Sequence, residues 1–218
     1  MSLQEKLSYF DERLKVFYPL IGGWPPNLAS PAQVQMVRVA LEQDLAHAVA
    51  LYTDHPQETS AKLVLAELLR MGHNMDVPDC ARRADAVLTE IFRIDQFNIK
   101  AMVCRASMYV SLHPDLLPDA ERLFAKVIAL TTPNVDPMAH QGLAFACLKQ
   151  DKVDQAIVHF EAYLEQVPAH QRIVELVAKL KAGHVGKVTF YPSQSPADSP
   201  DAVATPRALM HLPPAMHH

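Results

Sequence analysis

Glycine is scarce in this chain: six residues of 218, against seventeen prolines. Little glycine alongside abundant alanine, leucine and valine favours helix. Cysteine is scarcer still. Cys80, Cys104 and Cys147 are an odd number and form no C-x-x-C pair. That pattern argues against a disulfide framework or a structural zinc site, and for buried thiols in a reducing compartment. Positive charge is not in excess: 20 Lys and Arg stand against 24 Asp and Glu, a formal net charge of −4. Without a basic footprint, no nucleic-acid partner is expected. No apolar run reaches spanning length, so direct membrane insertion is not expected either. The opening "MSLQEKLSYFDERLKVF" mixes charge through its first turns and lacks the apolar core of a secretory signal. Together these features lead to the expectation of a cytoplasmic protein.

Recognisable catalytic spacings are missing as well. H-E-x-x-H, G-x-S-x-G, G-x-x-x-x-G-K-[ST] and G-x-G-x-x-G do not occur. His140 and Cys147 lie two turns apart on one helix face, the nearest approach to a Cys–His pair, and both fit better as fillers between helices. The expectation is a non-catalytic protein with no cofactor. Five donors at the C-terminus, Met210, His211, Met216, His217 and His218, suit copper or nickel, but no scaffold enforces their spacing.

What is present is helical periodicity from end to end. Leu3, Leu7, Phe10, Leu14 and Phe17 recur at spacings of three and four and predict an N-terminal amphipathic helix within 1–21, with Glu5, Lys6, Glu12 and Arg13 off the stripe. "GGWPPN" breaks it and makes a linker over 22–30. Ser30 and Pro31 then read as N-cap and first residue of a capping helix over 31–56. Short helices follow to about residue 182. They are separated by "GHNMDVPD", "HPD", "TTPNVDP", "KQD" and "VPAH", each rich in turn formers. No alternating strand run precedes residue 186. The expected class is all-α.

A spacing recurs within these helices. Ala156, Phe160 and Tyr163 are matched thirty-six residues earlier by Ala120, Phe124 and Val127, and again by Ala84, Leu88 and Ile91. A small residue admits a neighbouring helix closely, and the larger ones on the same face fill the gap between hairpins. This resembles the second helix of the tetratricopeptide repeat (TPR). Leu143, Ala144, Ala156, Phe160 and Pro168 stand where that family usually has Leu, Gly, Ala, Phe and Pro, with His140 and Cys147 in place of its Trp and Tyr. A shifted register places Met102, Ala106 and Tyr109 in the same slots, and a weaker one places Ala66 and Leu69. The resemblance implies an α-solenoid of stacked antiparallel hairpins, with repeats over 57–98, 99–134 and 135–168. A solvating helix over 169–183 and a Pro-rich tail over 184–218, extended or disordered, are expected to follow.

The resemblance also implies a function. In TPR proteins the first helices of successive repeats line a concave groove that holds a partner helix or an extended peptide. Carried over slot by slot, that groove falls on Val103, Ser107 and Val110 and on Met138, Gln141, Phe145, Leu148 and Lys149. These apolar residues are expected to be surface, not needed for the hairpins' own packing. The Lys/Asn/Arg clamp of some TPR proteins is missing, since Asn27, Asn74, Asn98 and Asn134 all fall outside the middle of a first helix. The expected function is therefore a protein-interaction scaffold. An alternative is a TPR-type chaperone or assembly factor for a secreted or membrane-complex subunit, like bacterial secretion chaperones of similar size. Two segments of the chain itself are further candidates for binding: residues 3–18, through self-association or by covering the groove, and "KVTFYP" at 187–192 as an added strand.

Overall fold

Ser2 and Ser30 each start a helix by accepting a backbone N–H three residues on, at 3.3 Å from Glu5 and 3.2 Å from Gln33. Glu5 answers with a 2.7 Å bond to the Ser2 N–H, which completes a capping box. The computed structural model describes residues 1–183, and among these it has nine α-helices, one short 3-10 turn and no strand. The "KVTFYP" segment and the terminal Met/His cluster lie outside the described residues. The chain divides into two compact units, Met1–Gln96 and one that begins at Phe97.

The first unit holds α1 (Leu3–Ile21), α2 (Pro31–Asp54), α3 (Thr59–Asn74) and α4 (Cys80–Ile94). α3 packs against each of the other three. It is buried along nearly its whole length, from Ala61 through Leu65, Leu68 and Leu69 to Met71 and Gly72. Fully burying one such leucine or methionine contributes about 1.5–3 kcal/mol. Gly72 matters for approach: a Cβ there would stand 2.7 Å from the Cys80 sulfur, so the missing side chain lets α4 begin against α3. Asp76 and Asp79, at φ 55° and 61°, turn the chain between the two helices.

The sequence stripe on α1 needs correction. Phe10, Phe17, Leu20 and Ile21 are buried, but Leu3, Leu7 and Leu14 are only half-buried. Arg13, expected to be wet, is buried at 6% exposure. Its Nε donates to Asp44 Oδ2 of α2 at 2.5 Å, and its guanidinium lies over the Phe17 ring at 5.0 Å. Tyr9 donates to the other Asp44 oxygen at 2.8 Å; burial and that carboxylate push its phenol up to about 12. The buried face is thus rotated toward Arg13 because α2 offers it a buried counter-charge.

The second unit holds α5 (Ile99–Leu112), a 3-10 turn at Pro114–Leu116, α6 (Leu117–Thr131), α7 (Pro137–Leu148), α8 (Val153–Gln166) and α9 (Gln171–Lys181). Asn98 caps α5 and Asp136 caps α7, by accepting the N–H of Ala101 at 3.1 Å and of Met138 at 2.8 Å. Each helix packs on the next, and α5 also packs on α7. Gly183, at φ +71°, closes α9 with its N–H on the Leu180 carbonyl. The recurring residues are core: Ala84, Leu88, Ile91, Ala120, Phe124, Val127, Ala156 and Phe160 are all fully buried, and Tyr163 is 4% exposed. Gly142, which the sequence reading passed over, sits on Phe124. A Cβ there would run into that ring, so glycine sets how close α7 comes to α6.

Candidate functional site

Val103, Ser107 and Val110 project from α5, and Met138, Gln141, Phe145, Leu148 and Lys149 from α7 or its end. The two helices are neighbours, joined at their C-terminal ends by Lys149, whose Nζ donates to the Val110 carbonyl at 2.7 Å. Burial pushes the Lys149 ammonium below its ordinary range. Lys149 therefore acts as a tie between α5 and α7, where the sequence placed it in the lining of a partner groove.

Two further members differ from expectation. Leu148 is only 6% exposed, so it belongs to the core. Phe145 is half-buried, and its ring meets Phe160 edge-on at 5.0 Å and 82°. α7 lies against α5, α6 and α8, and the Phe145 ring is turned onto Phe160 of α8. What stays available is Met138, 43% exposed, with Val103, Ser107, Val110, Gln141 and part of Phe145 half-buried around it.

The matching face in the first unit shows how the chain treats such residues. In the register that aligns Ala66 with Ala106 and Ala144, Glu67 and Arg70 of α3 correspond to Ser107 and Val110 and to Phe145 and Leu148. Here the face is covered. Arg70 Nη1 donates to the Gly22 carbonyl at 2.5 Å, and its guanidinium faces the Tyr18 ring. Asn74 Nδ2 donates to the carbonyls of Ile21 at 2.9 Å and Gly23 at 3.2 Å. The C-terminal end of α1 thus sits on α3, with Phe17, Leu20 and Ile21 buried in its own chain.

No protein-family model, curated protein or solved structure matches this chain.

A second surface was missed by sequence reasoning. An open cleft of about 670 Å³ lies between α8 and α9, floored by Leu164, Val174, Val177 and Ala178. Glu161, Glu165 and Lys181 form its rim, and Lys181 Nζ meets Glu161 at 2.6 Å. Val174, 38% exposed beside the buried Ile173 and Val177, was the available signal. The Cys–His arrangement does not form. Cys147 is buried, its thiol pushed up by burial and set toward Gln155 at 3.8 Å, while His140 faces His159. Among the described residues no group of three or more His, Cys, Asp or Glu is placed to hold a metal ion. Among them, too, no helix is long and apolar enough to cross a membrane.

Proposed function

We propose that this chain is a non-catalytic protein-interaction module of TPR-like hairpins, and that its α5/α7 face receives a helix of a partner protein. One observation carries the reading. On the equivalent face of α3 the chain supplies its own helix, α1, which buries Phe10, Phe17, Leu20 and Ile21. The α5/α7 face keeps Met138 exposed and Val103, Val110 and Phe145 half-buried. A helix with an i, i+3, i+4, i+7 apolar stripe is the natural complement to such a face. α1 itself is already engaged, which favours a foreign helix over self-association through residues 3–18.

The test is affinity capture with the full chain, comparing wild type with Met138→Glu and with Val158→Glu. Val158 lies on α8 and is 60% exposed, so it controls for a new surface charge. The expected result is a protein held in equal amount by wild type and Val158→Glu and lost with Met138→Glu. An identical set of proteins on all three chains, or losses only with Val158→Glu, would reject the α5/α7 face.

A further inference from the structure

His140 of α7 and His159 of α8 meet with their Nδ1 atoms 3.2 Å apart. Their planes are 28° apart and their centroids 5.4 Å apart. The centroid separation exceeds the nitrogen separation by about one ring width. Each Nδ1 therefore points at the other along the line of centres, as in an end-to-end N–H···N hydrogen bond rather than a face-to-face stack. Such a bond needs one proton between two nitrogens. In the neutral pair one ring carries Nδ1–H and the other presents the Nδ1 lone pair. An added proton goes to the free Nε2 of the donor ring and leaves the link intact. The next must go to the acceptor Nδ1, and two N–H groups on two cations would then face each other across the same gap.

We propose that His140 and His159 form a proton-operated latch between α7 and α8, closed with up to one added proton and opened by the second. The surroundings fit this. Both rings are half-buried, and burial holds both imidazoles below their ordinary value; the neighbouring imidazole lowers His159 further. The charged groups that face the pair are Glu165 of α8, toward His140, and Glu121 of α6, toward His159. Glu121 is itself held by Lys152 at 2.5 Å and by Gln150 at 2.9 Å, so it is only partly available to neutralise an imidazolium. Both carboxylates favour a first proton, and neither lies between the two Nδ1 atoms that the second would force apart.

The consequence reaches the α5/α7 face. Phe160, next to His159 in the chain, is the residue on which the Phe145 ring rests. Opening the latch frees α7 to shift on α8, carrying Met138, Gln141 and Phe145 with it. This regulatory consequence rests on the binding reading above; the latch does not. The sign follows from the direction of the shifts. A histidine held below its unfolded value stays neutral in the fold, so the contribution of this pair to stability is fully present above about pH 6.5. That stability is lost progressively as pH falls below 6.5 toward the lowered folded values.

The experiment is an NMR titration of the imidazoles of the full chain, with His140→Gln and His159→Gln to assign the signals. The latch predicts that His140 and His159 of the wild type titrate in two separated steps, the second accompanied by shifts of the Phe145 and Phe160 rings. In His140→Gln, His159 should titrate in a single step at higher pH than the second wild-type step. Coincident titration of both wild-type imidazoles in one step near the ordinary value would overturn the latch, whether or not either variant folds. A two-step titration alongside unchanged capture by Met138→Glu would keep the latch and remove the binding reading; a single step removes the latch alone.

Discussion

α3 and α7 align in the register that sets Ala66 against Ala144, and they meet different fates. α3 is enclosed by α1, α2 and α4, and buries Lys62, Arg70 and Asn74 along with its apolar residues. Lys62 is met by Glu90, Arg70 by Glu67 and the Gly22 carbonyl, and the Asn74 Nδ2 by the Ile21 and Gly23 carbonyls, while the Asn74 Oδ1 is buried without a hydrogen-bond partner among the described residues. α7 is shorter, carries no Asp, Glu, Lys or Arg before Lys149, and leaves Met138 in solvent. The difference lies in what comes to cover each helix. A helix face covered by its own chain can afford buried charges, because their partners are built in at fixed positions. On the proposed binding role, apolar and neutral residues suit the α7 face, since a charge buried on binding would need a partner delivered with it.

Removing Arg13 should affect this contrast most. Arg13→Ala leaves Asp44 as a buried charge without its partner, and breaking such a pair costs about 3–5 kcal/mol. Urea unfolding followed by the fluorescence of Trp24, the one tryptophan of the chain, checks it in the unit concerned. Early proteolysis within α1 should accompany the loss. A change below about 1 kcal/mol, the range of an exposed pair, would mean that α1 is a loose cover and the contrast with α7 is weak.

Gly142→Ala should come next. The Phe124 ring is fully buried and a Cβ at position 142 would overlap it, so the added methyl overpacks the α6–α7 contact at a cost of about 1–3 kcal/mol. Gly23→Ala has open space around its Cβ and serves as the control. Equal melting temperatures for the two variants would show that α7 does not approach α6 as closely as the contact requires.

The smallest effects concern the α5/α7 face itself. Phe145→Ala removes a half-buried ring from Phe160 and should lower stability by about 0.5–3 kcal/mol, the ordinary range of destabilising substitutions. Met138→Ala, on the exposed side, should stay within about 0.5 kcal/mol. Thermal melts of the two variants separate them. If Phe145→Ala proves as neutral as Met138→Ala, the Phe145 ring adds little to the α7–α8 packing.

Much of the helical order was legible without coordinates, for local reasons. Ser30 and Pro31 start α2, and prolines and aspartates mark the turns, because caps and turns depend on residues within a few positions of each other. The thirty-six-residue recurrence of Ala, a large apolar residue and a second apolar residue named nine core positions, because helical period alone decides which residues share a face. Residues 137–149 were harder. Periodicity places Phe145 and Leu148 on one face of α7 but does not say whether α8 closes over that face.

By itself, then, the sequence determined that the described chain is all-helical, where most helices begin and end, and which side of the recurring ones faces inward. Only the tertiary structure decided the pairings between distant residues. Arg13 and Asp44 are 31 positions apart, Lys149 and Val110 are 39, and His140 and His159 are 19. No local pattern links such partners, since each meets the other only after two helices have packed. The same packing buries Leu148, lays α1 on α3 and leaves Met138 in water. Which faces are filled and which stay open follows from three-dimensional contact, and a one-dimensional period records only the side on which contact will occur.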